Sequence, residues 1–153
     1  MAIEKVIEFF EKNSISDRIR QFDVSSATVA LAAEALGCEE ARIAKTLSFL
    51  VDDSAVLIVT AGDMKIDNHK FKELFHTKAK MLTPEQVDSL IGHSIGGVCP
   101  FAVNEGCKVY LDVSLKRFDI VYPAAGSSSS AVELTPDELE KYSGSLGWID
   151  VCK

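Results

Sequence analysis

A chain of 153 residues with 47% hydrophobic content is long enough for one compact domain with a real core and too short for two ordinary ones, so a single unit over residues 1–153 is expected. Its formal net charge of -7 excludes a general nucleic-acid coat, which needs clustered cations to displace counterions, and DNA is not an expected partner. No apolar run approaches the roughly 20 residues of a membrane span, and the mixed charges of residues 1–13 differ from a signal peptide, so no membrane contact and a cytoplasmic location are expected.

Ile3, Val6, Ile7 and Phe10 recur at helical spacing and predict an amphipathic helix over 2–12. Residues 18–24 read as a short strand. Ser25 or Ser26 then caps a helix through Leu36, which Gly37 stops in the left-handed conformation. Residues 42–51 and 55–60 flank the turn Asp52-Asp53-Ser54 and predict an antiparallel hairpin. A helix near 67–75 and a short strand near 79–82 follow. Thr83-Pro84-Glu85-Gln86 is a capping box with proline at the first helical position, for a helix ending by Gly92. Strands are predicted at 108–113 and 118–122 around a turn at 114–117. After the small-residue loop 126–130 come a strand at 131–134, a second capping box at Thr135, and a last strand at 148–151. Hairpins outnumber clean strand-helix-strand crossovers, so the fold class is α+β with a mixed, mostly antiparallel sheet.

Four cysteines, Cys38, Cys99, Cys107 and Cys152, form no C-x-x-C pair and read as reduced thiols. His69, His76 and His93 show no metal-ligand spacing and read as surface or pocket-rim residues, so no metal is expected. The chain has neither G-x-G-x-x-G nor G-x-x-x-x-G-K-[ST], and no cofactor is expected.

Two features carry chemistry. In Gly96-Gly97-Val98-Cys99-Pro100-Phe101 the glycines free the backbone to turn amide N–H groups toward a ligand, and Pro100 stiffens the exit. Such a loop serves as an oxyanion hole, or is simply a tight turn. Lys45 shares one strand face with Ile43, Leu47, Phe49 and Val51. An ammonium among buried neighbours needs a compensating reason, unless its stem packs on the sheet and its head reaches water. Together they suggest a pocket that holds a carbonyl. Lys65, Lys70, Lys72, Lys78 and Lys80 stand against Asp67 and Glu73, a local formal charge of +3 in a chain whose remainder carries -10. That stretch is either a solvated helix face or a phosphate contact.

The residues now form a recognisable set: Ala33-Glu34-Ala35-Leu36-Gly37, Ala44-Lys45-Thr46-Leu47, Gly96 to Phe101, Tyr110-Leu111-Asp112 and Ala124-Ala125-Gly126-Ser127. From about Ser25 to Leu139 the chain resembles the YbaK family of aminoacyl-tRNA deacylases, which includes free-standing proteins and the editing domain inserted in many bacterial prolyl-tRNA synthetases. The resemblance implies a curled, barrel-like sheet surrounded by helices, and hydrolysis of the ester joining a wrong amino acid to the 3′ end of tRNA. Lys45 matches the family's key lysine, and Gly96 to Pro100 its G-x-x-x-P loop, whose amides bind the carbonyl. Cys99 departs from the serine common there. It reads as a small buried hydrophobe or, alternatively, as a nucleophile.

The expected function is therefore trans-editing of mischarged tRNA, with proline tRNA carrying a small non-cognate amino acid as the expected substrate and prolyl-tRNA synthetase as an expected partner. The catalytic set is Lys45, Gly96, Gly97, Val98, Cys99 and Pro100. Thr46, Asp112, Ser127, Ser128 and Ser129 are substrate-binding candidates, although Asp112 and the serines also read as strand-end or turn chemistry. Lys65, Lys70, Lys72, Lys78 and Lys80 are candidate tRNA contacts. The alternative is a non-catalytic module that holds an aminoacyl group within a synthetase complex.

Overall fold

The computed structural model describes residues 2–94 and 96–153. In α1 (Ala2–Lys12) Val6 and Phe10 are one turn apart and fully buried, while Glu8 and Lys12 pair in solvent. β1 (Ile19–Gln21) is shorter than the predicted strand: the Phe22 N–H still donates in register to Ser129 O at 2.8 Å, but the Ser129 N–H turns to Ser127 Oγ at 3.3 Å and the ladder stops there. α2 (Val29–Leu36) starts later than either serine, since Thr28 takes the cap: its Oγ1 accepts from the Leu31 N–H at 3.2 Å. Gly37, at φ 69°, ends it as predicted.

β2 (Ile43–Val51) and β3 (Ser54–Ala61) form the antiparallel hairpin, turning at Asp52 and Asp53 with φ 49° and 63°. Two consecutive left-handed residues match the twist of the arms, and aspartate tolerates that conformation. α3 (Asn68–Phe75) is capped by the Asp67 carboxylate. Residues 79–82 run along β2 but pair only where Met81 meets Phe49, so they form a bridge and not a full strand. The Thr83–Gln86 capping box opens α4 (Pro84–Gln86), which widens into a π turn over 87–91 and stops at Gly92.

β4 (Lys108–Asp112) leads into a 3-10 turn over 113–117. Of the predicted strand 118–122 only the end pairs, Val121 as a bridge and Tyr122 as the start of β5 (Tyr122–Pro123). Upstream, Arg42 binds Asp119 at 2.9 Å and stacks over Phe118, which holds that stretch off the sheet. β6 (Ser130–Val132), α5 (Pro136–Ser143) on its Thr135 capping box, and β7 (Trp148–Ile149) complete the elements.

The architecture is α+β. The main sheet has the order β5-β2-β3-β4-β7, and β1 pairs with β6. The hairpin is the longest pairing and is antiparallel, as is β1 with β6; β5, β4 and β7 join as short parallel neighbours. β4 runs parallel to β3 because the connection through α3 and α4 returns it to the same end of the sheet. Val121 and Leu134 exchange backbone hydrogen bonds of 2.8 and 3.1 Å, which stitches the small sheet to the β5 edge and curls the whole.

β2 and β3 are covered on both faces. On one, Ala44, Val59 and Ala61 meet Phe10, Cys99 and Phe101; on the other, Phe49, Val56 and Ile58 meet Phe71 and Val151. Alternation therefore assigns Thr46 and Ser48 to the first face and Lys45 and Leu47 to the second.

Candidate active site

The edge of β2 opposite β3 is only partly paired. β5 covers Ile43 and Ala44, and further on the Leu82 N–H donates to Ser48 O at 3.2 Å and the Leu50 N–H to Lys80 O at 2.8 Å. Between these contacts, residues 45–47 meet no strand on that side. Ser48 and Leu50 both present their peptide groups outward, so the period of two directs the Thr46 N–H and C=O into the same gap. Thr46 Oγ1 is buried and has no hydrogen-bond partner.

A cavity of about 410 Å³ fills the gap. Because it wraps around an open strand edge, residues from both faces of β2 reach it: Thr46 and Ser48 from one, Lys45 and Leu47 from the other. Gly96 and Val98 form the opposing wall, Ser26 and Thr28 stand at the head of α2, and Leu82 and Val87 close the apolar end. Small residues, Ala32, Ala44, Ala124 and Ala131, line much of the remainder.

Lys45 is half-buried, and burial lowers its pKa from the ordinary lysine value, against raising effects from Cys152 and Asp63. Its Nζ donates to Met64 O. The loop amides are not equivalent. Gly97 N–H donates to Ser94 O at 3.0 Å, whereas the Val98 and Cys99 N–H groups meet no backbone acceptor among the described residues. Gly96 adopts φ 92°, and a Cβ on Gly97 would stand 2.8 to 2.9 Å from the Ser127 backbone. Two glycines thus let the loop turn and press against its neighbour.

The structure brings Lys45, Thr46, Gly96 and Val98 to one cavity. Gly97, Cys99 and Pro100 lie behind that wall, with Cys99 fully buried in the core. Its Sγ is 3.5 Å from His93 Nε2, a neighbour six residues away that spacing alone did not single out. His93 is itself 1% exposed, so it is a core residue and not a surface or rim one. It meets Phe101 O at 2.8 Å.

Ser127, Ser128 and Ser129 do not line the cavity. They brace its wall: Ser127 Oγ donates to Ser130 Oγ at 2.8 Å, and Ser128 O accepts from the Ser26 N–H at 2.7 Å. Ser130 is the serine of that loop that lines the cavity. Asp112 is buried away from it, accepting from Ser114 N–H and Val151 N–H at 3.0 Å each. Of the lysines, Lys65 pairs through its backbone with Lys153 and Lys70 binds Asp150, while Lys72, Lys78 and Lys80 are exposed and form no ion pair among the described residues.

Ser26, Ser48, Met81, Tyr122 and Ser130 also line the cavity and were missed by the sequence reading. Ser48 had a signal, since it alternates with Thr46 on the same face of β2. Among the described residues, no group of three or more His, Cys, Asp and Glu side chains is placed to hold a metal, and no helix is long and apolar enough to cross a membrane.

An open sheet edge facing a glycine-bent loop, on this curled α+β frame, coincides with a match to the aminoacyl-tRNA editing domain model over residues 24–142. The chain belongs to that family. It is 51% identical over 154 aligned positions to the uncharacterised protein YwhH of Bacillus subtilis (strain 168), covering 100% of this chain and 98% of that one. It is 26% identical to the proline–tRNA ligase of Leuconostoc citreum (strain KM20), over 82% of this chain but 23% of the ligase. A crystal structure of a candidate trans-editing enzyme for prolyl tRNA synthetase superposes with a TM-score of 0.89 at 29% identity, covering 99% of this chain and 97% of that one.

Proposed function

We propose that this protein is an aminoacyl-tRNA deacylase that clears a small non-cognate amino acid from proline tRNA in trans. The observation that carries the reading is the single cavity shared by Lys45, Thr46, Gly96 and Val98 in a member of the editing family.

An aminoacyl ester is already labile, so positioning a water and stabilising the developing oxyanion supply the acceleration without a covalent nucleophile. In this reading the carbonyl oxygen sits against the Val98 amide, the loop residue beyond Gly96 that lines the cavity, because the Gly97 N–H is engaged by Ser94. The Lys45 ammonium holds the substrate or its terminal phosphate at the open edge of β2. Water adds to the carbonyl carbon, and the intermediate collapses by expelling the ribose oxygen, releasing free amino acid and intact tRNA. The largely apolar lining suits an aliphatic side chain, although one methylene is worth only about 1–3 kcal/mol of discrimination.

The test is deacylation of tRNAs charged with proline, alanine, cysteine, serine, threonine and 2-aminobutyrate, with wild type beside Lys45→Ala. Hydrolysis of a mischarged proline tRNA by wild type, lost in a folded Lys45→Ala protein, is the expected result. Full activity in the variant would sink the assignment, and no hydrolysis of any substrate would leave a binding module.

A further inference from the structure

The end of the chain reaches Lys45 through one peptide. Lys45 Nζ donates to Met64 O, and that carbonyl shares a rigid planar unit with the Lys65 N–H. The Lys65 N–H donates to Lys153 O at 3.3 Å, and the Lys153 N–H returns a bond to Lys65 O at 2.9 Å. Next along, Ile66 lies opposite Cys152, and the Asp67 N–H donates to Val151 O at 2.7 Å. Residues 65–67 and 151–153 thus form a short antiparallel ladder whose geometry sets the direction of the Met64 carbonyl.

That ladder is held from two sides. Asp112 Oδ1 accepts from the Val151 N–H at 3.0 Å, while its other oxygen is occupied by Ser114. Lys70 Nζ donates to Cys152 O at 2.9 Å and Asp150 Oδ1 at 3.0 Å. The outer strand of the ladder lies beyond the residues 24–142 that match the family.

We propose that the C-terminal segment 150–153 is a positioning element for Lys45, aiming its ammonium through the Met64–Lys65 peptide, with Asp112 and Lys70 as latches. The inference rests on the reading of Lys45 as the group that places the substrate. It assigns Asp112 and Lys70 to holding the site from behind, not to touching substrate or tRNA.

The experiment compares wild type with full-length Asp112→Asn and, separately, with full-length Lys70→Met, which removes the bond to Cys152 O without adding a charge beside Lys45. Circular dichroism checks folding, and if Asp112→Asn fails to fold, Lys70→Met carries the test. Lys45 is titrated by NMR of its side-chain Cε, and kcat and KM are measured on proline tRNA charged with alanine. Burial, with Lys65 acting in the same direction, outweighs the opposing effects of Cys152 and Asp63 on the ammonium, so releasing the strand wets the amine. The expected result is a titration moved up toward the ordinary lysine value, with kcat reduced roughly tenfold or more and KM within about twofold. An unchanged Lys45 titration, with hydrogen exchange showing the Lys65 amide released, overturns the proposal. A moved titration with unchanged kcat upholds the positioning and overturns instead the reading of Lys45 as the substrate-placing group.

Discussion

Cys99 and His93 stand at 3.5 Å, close enough for a thiol–imidazole pair, yet both are buried in the core. Burial pushes the Cys99 thiol up to about 12 and lowers the His93 imidazole, so each is held neutral. Cys99→Ser is therefore expected to retain deacylation within a few-fold; complete loss in a folded variant would restore the thiolate as nucleophile. His93 makes a second prediction. Its folded pKa lies below the unfolded value of 6.5, so below that value the unfolded chain takes up a proton that the folded chain refuses. The associated stability is present above the unfolded value and is lost as pH falls toward the folded one. Urea melts at about pH 7.5 and 5.5 should show a larger loss for wild type than for His93→Gln, because the depressed carboxylates, such as Asp63 and Glu138, titrate lower still. Equal losses would mean that His93 is protonated in the fold.

At the scale of elements, the wall of the cavity is two loops in contact. Gly97 is where they touch, and a methyl group there meets backbone, which cannot rotate away. Gly97→Ala should cost about 1–3 kcal/mol in chemical denaturation and reduce turnover, since the loops must part. Wild-type stability and turnover would show that the wall yields freely. The helices behind this wall begin on chemistry that acts within one turn: Thr83 with Gln86 and Thr135 with Glu138 satisfy each other's exposed backbone groups. Both boxes could be read from the sequence for that reason. The start of α2 could not, because Ser26 is drawn to Ser128, 102 residues away, leaving Thr28 as the cap.

Across the whole molecule, the basic stretch divides by its tertiary partners. Lys65 and Lys70 are tied to the C-terminal strand, whereas Lys78 and Lys80 are exposed, form no ion pair among the described residues, and shortly precede Met81, which lines the cavity. Under the tRNA reading, replacing Lys78 and Lys80 by alanine should weaken tRNA binding and flatten its salt dependence by up to about two phosphate contacts. An unchanged salt slope in filter binding would place the acceptor strand elsewhere. Under the same reading, the net charge of -7 limits such binding to a local, transient contact.

Local chemistry determined much of this protein from the sequence by itself: the hairpin and its turn, both capping boxes, the Gly37 stop, the lysine-bearing face of β2 and the bent Gly96–Gly97 loop. Each depends on side chains within a few residues of one another, or on a period of two. Only the tertiary structure decided that Lys45 and the loop approach one cavity from opposite faces of β2, that Asp112 and Lys70 serve the C-terminal strand, and that His93 lies against Cys99. Those placements depend on which edge of β2 is left unpaired and on where residues 151–153 dock. Both are set by backbone hydrogen bonds between segments far apart in the chain, which composition and periodicity do not encode.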